Sequence, residues 1–132
     1  MRPQLIVCRH CIHEVANSLD VADMYTTCKN SHHYNYSVVV LTQNMFAEGK
    51  HFRTISLNTH FLWILKSVRD NTTVQTLGAR MGQKKFLFDC YTDAMKTSYS
   101  HLFVNLQLAE DENTRIRSKM FDSPSVFYVP RK

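Results

Sequence analysis

Apolar positions along the chain fall into short continuous runs separated by stretches with helical spacing. The clearest run lies in YSVVVLTQNMF, Tyr36–Phe46, where Val38, Val39, Val40 and Leu41 are followed at once by Thr42, Gln43 and Asn44. β-Branched residues that stop at a polar step predict a strand buried on both faces, with hydrogen-bonding groups at its carboxyl end. Gln4–Cys8 (QLIVC), His60–Lys66 (HFLWILK) and Ser100–Leu106 (SHLFVNL) are the other runs of this kind. Trp63 and Phe61 are expected in the core.

Helical spacing fills the intervals. Ser18 is placed to cap a helix whose Leu19, Ala22 and Tyr25 share one face, with Asp20 and Asp23 near its positive end; it should stop at residues 29–31. Arg53–Asn58 reads as a short helical turn. Asp70 or Asn71 caps a helix over Thr72–Met81, with Val74 or Gln75, Leu77 and Met81 inward, and Gly82 ends it. Lys84–Lys96 is a further helix that buries Phe86, Leu87, Cys90 and Ala94. Gln107–Asn113 is an acidic turn, Arg115–Lys119 a basic stretch, and Val126–Val129 a final extended piece.

Strand, helix, strand within the first 38 or so residues has the size of a crossover unit. Strands alternating with helices predict an α/β domain with a mostly parallel sheet and flanking helices. Ligands of such sheets sit beyond the carboxyl ends of the strands, which draws attention to Gln43 and Asn44. Residues 1–132 read as a single domain without internal repeat or linker. No glycine-rich phosphate loop occurs in the sequence.

Composition narrows the class. The 132 residues are 44% hydrophobic and 20% charged, which is globular rather than disordered. The net charge of +5 and seven histidines suit an anionic partner such as nucleic acid. No run reaches the roughly 20 apolar residues of a membrane span, and the first residues are too briefly apolar for a signal peptide. An intracellular chain is expected, with Cys8, Cys11, Cys28 and Cys90 as thiols.

The cysteines and histidines also permit a metal reading. Cys8 and Cys11 form a CxxC pair, and Cys28 and His32 follow after a gap of zinc-finger size, so the four would suit tetrahedral Zn²⁺. Against it, Cys8 ends an apolar strand and a helix fills the gap. A cysteine–histidine nucleophile has no local signature here. The basic residues open to nucleic-acid phosphates are Lys29, His32, His33, Lys50, His51, Arg53, Lys84, Lys85, Arg115, Arg117 and Lys119, interleaved with Tyr34, Tyr36 and Phe52. A solvated basic surface is the competing reading.

The succession LIV, HEVANSLDVADMYT, SHHYNYSVVVLTQNMF, RTISLNTHFLWILKSVRD, LGARM and YVPRK resembles the FtsK/HerA-type DNA-packaging ATPases of Maverick/Polinton and adintovirus-like elements. The resemblance runs over about residues 4–132 and corresponds to the second half of such an ATPase. It implies part of a RecA-like P-loop fold, with the Walker A half expected upstream of Met1. In the family, ATP hydrolysis drives double-stranded DNA into a capsid, usually through a ring of subunits. LIVCRHC falls where the family has its Walker B strand, and Arg9 and His10 stand at the two acidic positions that hold Mg²⁺. Cations there would repel the metal.

By the same resemblance VLTQN is the sensor strand, with Gln43 facing the γ-phosphate or water and Asn44 beside it. Arg53 in RTISLN and Arg69 in SVRD occupy arginine positions from which a neighbouring subunit's nucleotide could be reached. The resemblance thus implies a truncated packaging ATPase without autonomous hydrolysis, binding no cofactor alone and Mg–ATP only when completed by its missing half. The alternatives are a non-enzymatic module that binds DNA or an intact ATPase subunit, and a small zinc protein. A partial sheet with open edges is expected to associate.

Overall fold

The computed structural model describes residues 4–8, 38–42, 53, 56–69 and 71–131. In chain order these form β1 (Gln4–Cys8), β2 (Val38–Thr42), β3 (Phe61–Leu65), α1 (Thr72–Arg80), α2 (Lys84–Ala94), β4 (His101–Asn105), β5 (Ile116–Ser118) and β6 (Val126–Tyr128). The strands make a six-stranded sheet in the order β2-β1-β3-β4-β5-β6. The helix expected after Ser18 lies outside the described residues.

Every neighbouring pair in this sheet is antiparallel. This corrects the expectation of a mostly parallel, partial RecA-like sheet. The register is definite: Ile6 faces both Val40 and Leu62, Ile64 faces Leu102, and Ile116 faces Tyr128. An apolar run reports that a strand is buried, not the direction in which it runs, so residue pattern alone left the orientation open. The connections decide it. Two helices lie between β3 and β4, and a helical hairpin brings the chain back to the end of the sheet it left. Leu65 and His101 are accordingly opposite one another, and β4 runs against β3. A single crossover helix would have delivered the chain to the other end.

Alternation along each strand separates two faces. Leu62, Ile64, Leu102, Val104 and Ile116 point to the helices and meet Val74 and Leu77 of α1 and Leu87, Cys90, Tyr91 and Ala94 of α2. Each buried leucine, isoleucine and valine among them contributes about 1.5–3 kcal/mol by leaving water. Phe61, Trp63, Phe103, Arg117 and Phe127 occupy the other face. Trp63 and Phe61 therefore lie half-buried outside the helix-side core, with ring centroids 4.7 and 5.9 Å from that of Phe103.

Asn71 stands at the N-cap of α1 but its side chain makes no capping bond. Gly82, at φ 71°, ends the turn after α1 in the left-handed region that glycine tolerates. The Gln83 amide then donates to the Gly78 carbonyl at 2.9 Å and starts the chain back into α2. Gly78 is required for a different reason. A Cβ built there would stand 2.8 Å from Lys84 Cα, so α1 and α2 approach through a position with no side chain.

Polar ties fasten the layers. The Ser67 amide donates to Tyr91 Oη at 3.0 Å, and Lys66 Nζ to the Met95 carbonyl at 3.1 Å, which fixes the exit of β3 against α2. Tyr128 Oη donates to Asp93 Oδ2 at 2.9 Å and joins the last strand to the same helix. The bonds from Lys96 and Tyr128 hold the Asp93 carboxyl below its ordinary range.

His101 lies at that same end of the sheet, opposite Leu65. Its Nε2 accepts the Met120 amide at 3.3 Å, and its ring lies 5.7 Å from that of Phe121. Burial lowers its pKa from 6.5, only partly opposed by Asp122. A histidine whose folded pKa is depressed contributes stability that is present above the unfolded value and is lost as pH falls through the folded one. Urea unfolding should therefore show stability falling as pH drops from 6.5. His101→Gln, which does not titrate, should flatten part of that fall; an unchanged profile would remove His101 from it.

Candidate nucleic-acid interface

The described basic residues divide into those the fold uses and those it presents. Arg115 belongs to the first group. Its Nη1 donates to the carbonyls of Asn105 at 2.8 Å and Gln107 at 3.0 Å, its Nη2 to the carbonyl of Glu110 at 3.0 Å, and its Nε to Glu112 Oε1 at 3.0 Å. It pins the β4–β5 loop from inside. Glu110 completes the loop by accepting from Asn105 Nδ2 at 2.8 Å and Thr114 Oγ1 at 2.7 Å. Arg117 is also engaged, with its guanidinium 5.0 Å from the Phe103 ring centroid and 5.5 Å from that of Phe127. Two of the three cations in the Arg115–Lys119 stretch are thus internal fastenings.

A different set gathers at the α1–α2 turn. Lys84 and Lys85 open α2, Arg80 closes α1, and Arg53 lies on the segment before β3; all four are exposed. The close approach at Gly78 brings the end of α1 onto the start of α2. Arg80 Nη1 donates to Ser56 Oγ at 3.3 Å, and Ser56 Oγ donates to the Arg53 carbonyl at 2.9 Å. The end of α1, the start of α2 and the Arg53–Ser56 segment therefore meet at one corner of the molecule, and each carries an exposed cation. Neither Lys84 nor Lys85 is paired with a carboxylate among the described residues.

Local helix physics disfavours this arrangement. The first turn of a helix carries a partial positive charge and favours acidic side chains. The first turn of α2 has no acid, carries two lysines, and its N-cap Gln83 makes no side-chain cap. Lysines there raise the positive potential of the corner at some expense to the helix. A local rule broken on the surface is expected where function outweighs stability.

Of the residues implicated by the packaging-ATPase resemblance, Arg53 and Arg69 are described, and they lie apart. Arg53 adjoins the far end of α1 through Ser56 and Arg80, whereas Arg69 precedes the start of that helix. The length of α1, about 13 Å, separates these two regions. Arg9, His10, Gln43 and Asn44 lie outside the described residues, but the strands they continue are placed. Antiparallel pairing sets Cys8 opposite Val38 and Gln4 opposite Thr42. The chain thus leaves β1 and β2 at opposite ends of the pair, about 13 Å apart along the strands. In a parallel pair both exits would share one end.

Of the zinc set, only the backbone of Cys8 is described; Cys11, Cys28 and His32 lie outside the described residues. Among the described residues no three His, Cys, Asp or Glu side chains gather as a metal site. Cys90 is buried against the sheet, and burial, with Asp89 adding to it, pushes its thiol up to about 12. It is a protonated core side chain, not a nucleophile. No described helix is long and apolar enough to cross a membrane.

Sequence reading singled out Arg53, Lys84 and Lys85 but missed Arg80 and Ser56. The available signal was Arg80 four residues before Lys84 across a turn marked by Gly82. Nothing in the sequence marked Ser56. Comparison with family models, with curated proteins and with solved structures finds no match to this chain.

Proposed function

We propose that the chain is a nucleic-acid-contacting module of the DNA-packaging type that does not hydrolyse ATP by itself. The observation that carries this reading is the pair of exposed lysines Lys84 and Lys85, paired with no carboxylate among the described residues, at a helix start where the dipole would place acids. Such a surface meets phosphates through charge and reads no sequence. The ordered motif resemblance supports double-stranded DNA as the polyanion. The lack of a glycine-rich phosphate loop in residues 1–132, and the cations Arg9 and His10 where the family has its acidic pair, support a role in contact rather than in turnover.

The test is binding of a random-sequence duplex by the whole chain, with and without Mg–ATP, beside a phosphate-release assay. Binding that is indifferent to sequence and to nucleotide is expected, with no release of phosphate. Turnover that disappears in Gln43→Ala would overturn the reading, since it would require a nucleotide site that this account does not contain.

A further inference from the structure

Three loops meet at the end of the sheet where Leu65 and His101 face one another: residues 66–69 after β3, 97–100 before β4 and 119–122 after β5. Each presents one large apolar side chain to water. Val68 is 90% exposed, Tyr99 86% and Phe121 81%. A single exposed apolar residue needs no explanation, but three from adjacent loops at one end of a sheet do. Phe121 is held outward, since its ring lies 5.7 Å from that of His101 and the Met120 amide donates to His101 Nε2. Tyr99 and Lys119 have φ of 59° and 53°, the non-glycine residues in the left-handed region among those described, and both belong to these loops. Such backbone is kept where the surrounding structure or a function requires it. Arg69 follows Val68, and Lys119 comes two residues before Phe121. Both cations are exposed, and neither is in an ion pair among the described residues. The described acids of this end are Asp93, whose carboxylate is taken by Lys96 and Tyr128, and Asp122.

We propose that this end of the sheet docks on an anionic lipid surface, with Val68, Tyr99 and Phe121 entering the headgroup layer and Arg69 and Lys119 meeting the charged headgroups. A lipid surface requires only that apolar tips and cations project from one end, with no fixed spacing between them. Val68 has no ring on which a base could stack, which favours lipid over a single-stranded nucleic acid. The surface is separate from the α1–α2 corner. Helix α2 begins at that corner and finishes here, where Lys66 Nζ reaches the Met95 carbonyl.

Co-sedimentation of the full chain with phosphatidylcholine vesicles, with and without phosphatidylserine, tests this, with urea unfolding of each variant alongside. Binding that needs phosphatidylserine is expected. Val68→Ser/Phe121→Ser alters no charge and should weaken that binding about tenfold. Arg69→Gln/Lys119→Gln should weaken it about fivefold for each cation removed. Leu108→Ser, at a fully exposed leucine of the β4–β5 loop at the other end of the sheet, should bind vesicles like wild type. Lys84→Gln/Lys85→Gln should also keep vesicle binding, while Val68→Ser/Phe121→Ser keeps duplex affinity, so that the two surfaces are lost separately. Absence of vesicle binding, or a loss in Leu108→Ser or Lys84→Gln/Lys85→Gln as large as in Val68→Ser/Phe121→Ser, would overturn the proposal. Oligothymidylate binding that falls in Val68→Ser/Phe121→Ser while vesicle binding does not would overturn it in favour of a single-stranded nucleic acid.

Discussion

Replacing Gly78 with alanine is expected to destabilise the protein by about 1–3 kcal/mol, the usual cost of an overpacked contact. Intrinsic propensity points the other way, since alanine is the better helix former by about 1 kcal/mol. Packing decides the sign. The new methyl would lie 2.8 Å from Lys84 Cα, 3.2 Å from the Lys84 carbonyl oxygen and 3.4 Å from Leu87 Cβ. Two of these are backbone atoms, so relief requires the helices to part, and Leu87 and the core it seals move with them. The urea midpoint reads the effect. A midpoint equal to or above wild type would mean that the α1–α2 approach is looser than described. Gly82→Ala provides the contrast, because a Cβ there meets nothing within 4 Å and only the positive φ opposes it.

Arg115→Ala should cost about 3 kcal/mol, within the range of hydrogen bonds made by a charged donor to partly buried groups. The side chain is 12% exposed and its bonds reach three carbonyls and Glu112. Removing it leaves those carbonyls without their donor and frees the loop that joins β4 to β5. Arg115→Lys should recover little, because an ammonium cannot reproduce a planar fork that reaches several acceptors at once. The measurement also separates structure from surface charge. Stability should fall while the salt dependence of DNA binding per molecule of folded protein stays the same. A variant of wild-type stability with a reduced salt dependence would return Arg115 to the DNA-contacting set.

The individual elements were legible in the sequence, and their arrangement was not. Three of the apolar runs became β1, β3 and β4, and Val38–Leu41 lies within β2. Both helices around Gly82 appeared where the spacing placed them, with Leu77, Leu87, Cys90 and Ala94 buried as their faces required. Parallel pairing failed because it was inferred from alternation of element types. The pair of helices between β3 and β4 already contained the opposite answer, since two helices reverse the direction that one would give. β5 was hidden because Ile116, Arg117 and Ser118 read as part of a charge run. Arg117 sits in a strand by lying over Phe103 and Phe127, a cross-strand contact that no linear pattern reveals.

The candidate site shows the same division. Lys84 and Lys85 could be read as surface cations at a helix start, and Arg53 as an exposed arginine. The meeting of their segments with the end of α1 depends on the absent side chain of Gly78 and on the bond from Arg80 to Ser56, both of which are tertiary facts. Arg115 carried the same charge in the sequence but is spent inside a loop. Charge was legible and its availability was not.

The most direct test of the proposed contact is the slope of log K for duplex binding against log salt concentration. Wild type should be compared with Lys84→Gln/Lys85→Gln, and with Lys96→Gln near the opposite end of α2 as the control. Each phosphate neutralised contributes about 0.9 to the slope on duplex DNA. The account predicts that the double variant loses about 2 from its magnitude, while the control retains the wild-type value. A slope that is the same in all three proteins would contradict the account, and the corner would then be a solvated surface.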